Sequence, residues 1–189
     1  MRISPQYTDA DYKRLTFSAE SEWQTAIDIF EDRIFGRFLK FVSYIEGYTY
    51  AGFAVLALDC LLIETLQQFH EGVAETPRRC SETFFVRFLT KTSFGFTEDQ
   101  AKKFYNDIRC GILHQAEVKG SSKVRVDTMP LVKYTDDRKG LVINRKLFHQ
   151  QLVHEFKDYV ARLRNGTDQQ LRDNFKKKME YICGLSKIS

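Results

Sequence analysis

Apolar side chains recur every three or four positions over most of this chain, and that spacing predicts a mainly helical protein. Residues 19–47 follow it as one long amphipathic helix that begins after Ser18, bends near Gly36 and ends at Gly47. Residues 51–69 are apolar on nearly every side through their first turns. Such a stretch is typical of a helix that touches neighbours all round.

Capping residues mark where the later helices begin. The pattern predicts further helices over residues 81–91, 97–114, 144–163 and 167–184. Thr97 and Gln100 form a capping-box pattern, and residues 167–170 repeat it before the last helix. Asn144 is placed to cap the helix that follows it, and residues 165–166 to end that helix. The first fifteen or so residues look like a loose polar lead-in.

Short β-type stretches follow the fourth helix. Residues 119–122 break that helix, and strands are predicted over residues 124–126, 131–134 and 141–143, with a turn at residues 136–140. The predicted fold is therefore an all-α bundle with a small β-hairpin insertion at about residues 119–144. We expect one domain over residues 1–189, with C-terminal helices over about residues 145–184.

Composition supports this interpretation and indicates a cytoplasmic protein. With 189 residues the chain can bury a proper core, and only 3 Pro and 10 Gly interrupt it. Four widely spaced cysteines (Cys60, Cys80, Cys110 and Cys183) argue against a zinc site and a disulfide framework. The N-terminus lacks the apolar core of a signal peptide. The apolar run at residues 51–63 is broken by Asp59 and too short to span a bilayer, so we expect no membrane partner.

Positive charge is concentrated in one segment. Residues 119–146 contain eight basic side chains against three acidic ones, in a chain of net charge +4. Lys119, Lys123 and Arg125 open that segment, where a polyanion such as RNA could bind. The alternative is a solvated hairpin with ordinary surface lysines.

Arg109 and His114 are the candidate catalytic pair. An arginine can fork onto phosphate oxygens, and a histidine exchanges protons near neutral pH, so together they could cut a phosphodiester without a metal. On an ideal helix they are about 140° and about 7.5 Å apart. Gly111 could loosen the last turn to bring them together, or a two-fold axis could pair each helix end with its twin. Alternatively, Arg109 holds carboxylates and His114 caps the helix.

Two carboxylates lie in the apolar second helix, where an unpaired charge is costly. Glu64 is the preferred partner for orienting Arg109 or His114, and Asp59 could act from another face. The alternative for both is a structural salt bridge to the arginines elsewhere in the chain, Arg33, Arg37 or Arg87. Tyr105 and Asn106 flank the motif and could contact RNA, although Tyr105 lies one turn before Arg109 and could simply border the cleft.

Residues 104–114 resemble the signature of the HEPN superfamily (higher eukaryotes and prokaryotes nucleotide-binding domains), an arginine followed after four to six residues by a histidine. The resemblance covers roughly residues 19–165. It implies a helical fold and a metal-independent endoribonuclease, often a toxin or an antiviral effector, that works as a homodimer. Arg109 would then stabilise the scissile phosphate and His114 would be the general acid or base. The products would be a cyclic phosphate and a 5′-hydroxyl.

Cys110 departs from the family pattern, in which the residue after the arginine is often polar. A thiol is a weak hydrogen-bonding group, so this departure favours the alternative of a catalytically inactive module that binds nucleotides or a protein. A second alternative is a purely structural helical domain. No metal or cofactor is assigned, because the remaining histidines form no ligand pair at helical spacing. An antitoxin or other regulatory partner would fit the implied function.

Overall fold

The computed structural model describes residues 1–186 and is mostly helical. Its helices are Asp9–Lys13 (α1), Glu20–Ile34 (α2), Lys40–Ile45 (α3), Gly52–Glu71 (α4), Ser81–Lys91 (α5), Glu98–Lys103 (α6), Cys110–Gln115 (α7), Arg145–Asn165 (α8) and Gln169–Ile182 (α9). Two π-helical turns, Phe35–Leu39 and Phe104–Arg109, join α2 to α3 and α6 to α7. The described residues therefore form seven continuous helices. The last three residues of the predicted domain lie outside the description.

The chain divides into two compact units. One contains Met1–Ser43, Gln68–Glu75 and the chain from Phe156 onward, and the other contains Tyr44–Gln67 and Thr76–Glu155. Helices α4 and α8 contribute residues to both units. The candidate site residues all belong to the second unit.

An aromatic cluster fills the core of the first unit. The Phe30 ring lies 4.5 Å from that of Phe69 and 5.5 Å from that of Phe175, measured between ring centroids. Tyr159 is also buried there, and its hydroxyl donates to the Phe69 carbonyl at 3.4 Å. Aromatic pairs of this kind stabilise a core beyond the area that they bury.

A second aromatic cluster forms the core of the other unit. Phe104, in the π-helical turn before the motif, stacks on Phe148 of α8 with ring centroids 4.8 Å apart and an angle of 9° between the rings. Phe94 and Phe96 pack edge-on or tilted against the same rings. This cluster anchors the motif helix on its buried face, which leaves the other faces for Arg109 and His114.

The inserted β-structure is a three-stranded mixed sheet, so the prediction of a simple hairpin was incomplete. Its strands are Lys123–Arg125 (β1), Val132–Tyr134 (β2) and Leu141–Asn144 (β3), in the order β1-β3-β2. The strands β2 and β3 form the predicted antiparallel hairpin. The strand β1 was predicted at about this place, but its pairing was missed: it pairs in parallel with β3 and makes β3 the buried central strand.

The N-terminal residues are ordered, which corrects the prediction of a loose lead-in. Asp11 caps α1 by accepting from the Thr8 backbone N–H at 2.8 Å, and Tyr12 on that helix is 1% exposed. Pro5 lies against α2–α3, where a Cβ on Gly36 would come within 2.6 Å of its Cγ. A π-helical turn rather than a simple bend occupies that place.

The predicted caps are mostly confirmed. The Thr97 hydroxyl accepts from the Gln100 N–H at 3.2 Å, and the Asn144 side chain accepts from the Lys146 N–H at 3.0 Å. Two caps lie one residue later than predicted. Helix α2 begins after Ala19 rather than Ser18, and Asp168, not Thr167, caps α9.

Helix α4 is longer than the apolar run that predicted it. Its 20 residues are long and apolar enough to cross a membrane by length and composition, and half of the apolar window is buried inside the protein. A core helix of a soluble protein has the same composition, so this property alone is weak evidence for a membrane span.

Gly111 is required where the chain folds back over the motif helix. A Cβ at this position would lie 2.4 Å from the Glu117 carbonyl oxygen and 3.2 Å from the Lys119 nitrogen. The Lys119 N–H donates to the Asp107 carbonyl at 2.9 Å and so holds the returning segment in place. The helix continues to Gln115, so Gly111 does not loosen its last turn as the sequence suggested.

We predict that Gly111→Ala destabilises the protein by about 1–3 kcal/mol, because the added methyl group meets backbone atoms that cannot rotate away. This loss exceeds the gain of about 1 kcal/mol that alanine gives over glycine inside a helix. Urea unfolding measures the free energy. Gly47→Ala is the matched control, because no atom lies within 4 Å of its added Cβ. Equal stability of the two variants would contradict the close approach.

Candidate active site

Arg109 ends the π-helical turn Phe104–Arg109 and points into a cradle of four side chains. Its Nη2 lies 3.3 Å from Glu64 Oε2, and its Cζ lies 5.3 Å and 5.8 Å from the ring centroids of Tyr105 and Phe85. Its Nη1 lies 4.0 Å from the Cys110 sulfur. The sequence therefore predicted the Glu64–Arg109 pair, and the structure brings it together.

Glu64 is itself held in position. Its Oε2 also accepts from the Ser81 hydroxyl of α5 at 3.0 Å. The Glu64 and Arg109 side chains are only 21% and 17% exposed, so solvent screens their interaction less than it does on an open surface. The ion pair consequently fixes the direction of the guanidinium.

The guanidinium is charged and retains unused donors. Burial lowers the pKa of Arg109, but the nearby Tyr105, Cys110 and Glu64 outweigh it and raise the pKa above its usual value. Its Nε is buried and has no hydrogen-bond partner among the described residues, so a ligand would have to use the Nη donors. Since arginine has five N–H donors, an ion pair at one nitrogen and a weak contact at another leave capacity for an anionic ligand.

His114 is exposed near the end of α7, one residue before Gln115. Across the described chain no hydrogen bond or ion pair holds its imidazole, and none joins it to Arg109. The predicted pair is thus on one helix but not in contact. The backbone ends the helix at Ala116, which adopts a left-handed conformation with φ of 54°.

Asp59 does not join this site. It is fully buried, and its Oδ1 lies 2.8 Å from Nδ1 of His149 on α8. This corrects both proposals from the sequence, because Asp59 orients neither motif residue and bridges to none of Arg33, Arg37 and Arg87. Its Oδ2 has no hydrogen-bond partner among the described residues.

Burial raises the pKa of Asp59, and the hydrogen bond from His149 opposes that rise. The adjacent Cys60 thiol is also fully buried, and its pKa is raised well above the usual value, mainly by burial. Cys60 is therefore an unreactive core thiol rather than a nucleophile.

Tyr105 and Asn106 are placed differently from each other. The Tyr105 ring packs edge-on against Phe85 with centroids 5.4 Å apart, so it helps to form the Arg109 cradle. Asn106 is exposed, and its side chain donates back to the Lys102 carbonyl at 3.0 Å. The sequence did not predict the roles of Phe85 and Ser81, because nothing in the pattern of their helix indicates which other helix it packs against.

The basic segment is only partly a surface. Lys123 and Arg125 are exposed on β1, whereas Lys119 is half-buried. Arg145 is 4% exposed and donates to the carbonyls of Glu46 at 2.9 Å and Tyr48 at 3.1 Å. It therefore supports a turn and does not add to the exposed charge.

No family model, curated protein or solved structure matches this chain. The resemblance of the Arg109–His114 motif to the HEPN superfamily consequently rests on the sequence pattern alone. Within residues 1–186, no three His, Cys, Asp or Glu side chains form a group that could hold a metal ion.

We predict that Asp59→Asn gains stability relative to the unchanged protein as pH rises above the pKa of an unfolded aspartate, about 4. The pKa of Asp59 is higher in the folded protein than in the unfolded chain. The contribution of Asp59 to the free energy of unfolding is therefore fully present below the unfolded pKa and is lost as pH rises through the folded pKa. Urea unfolding at a series of pH values measures this difference.

Asp158→Asn is the control for this variant, because Asp158 is an exposed aspartate on α8, the helix that carries His149. Its stability relative to the unchanged protein should stay nearly constant over the same pH range. A pH-independent difference for Asp59→Asn, or a trend of the opposite sign, would show that Asp59 is not held in a costly buried position.

Proposed function

We propose that this protein is a metal-independent endoribonuclease of the HEPN type, with an active site completed by a second copy of the chain. The observation that supports it is the state of Arg109. Its guanidinium is charged and held by Glu64 and Tyr105, and the contacts of its two Nη atoms in the described chain use only part of their donor capacity. Such an arrangement fits a preorganised group that binds a phosphate.

The two motif residues have complementary roles in this proposal. Arg109 binds the scissile phosphate and stabilises the charge that develops on its oxygens. The ribose 2′-hydroxyl loses its proton and attacks phosphorus, and the bond to the 5′-oxygen breaks. His114 either accepts the first proton or donates one to the leaving 5′-oxygen. The products are a 2′,3′-cyclic phosphate and a 5′-hydroxyl, with no metal and no cofactor.

A two-fold arrangement accounts for the separation of Arg109 and His114. One chain holds the arginine in a half-buried cradle and leaves the histidine exposed at the helix end. In a symmetric dimer the same surface of each copy faces the other, so an exposed His114 can approach the partner's arginine. We infer that the catalytic pair forms between copies rather than within one.

An inactive nucleotide- or protein-binding module is the second candidate. The observation that favours it is that Glu64 and Cys110 already contact the guanidinium. In that case the Glu64–Arg109 pair is structural. A role as a toxin or antiviral effector, and restraint by an antitoxin or regulatory partner, are further proposals that depend on the enzyme.

We predict that the protein cleaves single-stranded RNA in the presence of EDTA and that His114→Ala lowers the rate by about 100-fold or more, as loss of a general acid or base does. Gel analysis of labelled RNA measures the rate and identifies the cyclic phosphate. His154→Ala is the matched control, because His154 is also an exposed helical histidine. Absence of cleavage by the unchanged protein would favour the inactive module, and equal loss in both variants would reject His114 as the catalytic histidine.

We further predict that mixing Arg109→Lys with His114→Ala restores activity. Each variant supplies the residue that the other lacks, and lysine keeps a charge beside Glu64 while losing the guanidinium fork. Random exchange makes half of the dimers mixed, each with one complete site, so about a quarter of the full rate should return. No recovery from variants that do form mixed dimers would mean that both residues act within one chain.

A further inference from the structure

An open cavity lies beside β1 in the unit that carries the motif. It measures about 420 Å³, and the start of α4, the strand β1 and the loop after it line its walls. This volume is in the range of sites that hold small organic ligands. Its lining includes two aromatic residues, Tyr50 and Phe53, and two residues of opposite charge, Arg125 and Asp127.

We propose that this cavity binds one nucleotide of a single-stranded RNA. The proposal rests on the proposed function, because it gives that enzyme a second contact with its substrate. The base would stack on Tyr50, the phosphate would meet Arg125, and the ribose would meet Asp127.

The Tyr50 ring is almost fully exposed and does not belong to the core, so it is available for stacking. It is 97% exposed, the largest exposed fraction among the bulky apolar side chains of the described chain. Phe53, one helical turn further on, is half-buried and gives the cavity an apolar wall. Exposed rings beside a basic strand are what single-stranded nucleic acids use for stacking, since every base has an aromatic face.

The two charged side chains suit different parts of a nucleotide. Arg125 is exposed on β1, and it forms no ion pair with any carboxylate of the described residues. It can therefore contact a phosphate at little cost in free energy, because no ion pair has to be broken first. Asp127 would repel a bare anion, but a carboxylate accepts well from ribose hydroxyls. The combination favours a nucleotide over an inorganic anion.

The cavity also has a defined shape. Arg145 at its wall donates to the carbonyls of Glu46 and Tyr48, which fixes the turn immediately before Tyr50. A Cβ on Gly52 would lie 3.2 Å from Arg145 Cδ and 3.4 Å from Val124 Cγ1. Arg145 is thus a positioning residue, and Gly52 keeps the space beside it open.

The chain also limits how far this cavity can lie from the motif. The Lys119 N–H is bonded to the Asp107 carbonyl on the motif helix, and Arg125 follows six residues later. Six extended residues span at most about 20 Å. A short RNA can therefore occupy the cavity while another part of it lies at the motif helix.

The test measures binding separately from cleavage. Fluorescence anisotropy of a labelled short single-stranded RNA, in EDTA and on the His114→Ala background, gives the dissociation constant. We expect Tyr50→Ala to weaken binding by about 5- to 100-fold, as loss of one stacked base does, and Tyr50→Phe to bind nearly as the parent does. Tyr48→Ala is the matched control, because Tyr48 is 70% exposed and does not line the cavity.

Variants of the two charged residues, Arg125 and Asp127, give separate predictions. Arg125→Ala should weaken RNA binding and lower the slope of the logarithm of the binding constant against the logarithm of salt concentration by about 1, the value for one phosphate contact. Arg78→Ala is the matched control, because it removes an exposed arginine that does not line the cavity. Asp127→Ala should reduce the preference for RNA over DNA of the same sequence, because the 2′-hydroxyl loses its acceptor. Photocrosslinking should attach the RNA at Tyr50 or Phe53.

Three outcomes would overturn the proposal: no binding of RNA by the parent, equal binding by the Tyr50→Ala and Tyr48→Ala variants, or equal competition by polyglutamate. The last would show a general anion site. Failure of the nuclease is distinguishable, because RNA that binds through Tyr50 without being cut by the unchanged protein supports the cavity and rejects the enzyme. Cleavage that is unaffected by Tyr50→Ala supports the enzyme and rejects the cavity.

Discussion

The close contact at Gly111 is the constraint on which the second unit depends. Because this residue has no side chain, residues 117–119 can return directly across the motif helix. Asp107 then receives two bonds from that returning segment, from the Lys119 N–H and from the Ser122 hydroxyl. The second of these lies one residue before β1, so the position of the sheet follows from the helix. The same contacts therefore position both the motif helix and the cavity beside β1.

The motif helix holds its two polar residues in opposite ways. Arg109 is fixed by contacts from α4, α5 and its own helix, which reduces the conformational entropy that it would lose on binding a phosphate. His114 is left free, so it retains that entropy until a ligand or a second chain orders it. This difference suits a site that is assembled only on association. It would equally suit a helix with one structural arginine.

Local features of the fold could be predicted from the sequence, whereas long-range ones could not. Thr97 and Asn144 were identified because a cap bonds to residues two or three positions away. The Asp59–His149 hydrogen bond joins residues 90 positions apart, and nothing in the sequence around either residue indicates the other as its partner. Glu64 was predicted to pair with Arg109 or His114, since a carboxylate in an apolar helix needs a partner. The parallel pairing of β1 had no signal, because three-residue strands fit either direction.

The burial of Asp59 also matters before the protein is folded. Helix α4 emerges during synthesis 90 residues ahead of His149, while its composition still matches that of a membrane-spanning segment. An aspartate near the middle of such a segment adds about 2.5–3.5 kcal/mol to the free energy of entering lipid. The same carboxyl that is costly in the folded core therefore also disfavours entry of this helix into lipid before α8 supplies its partner.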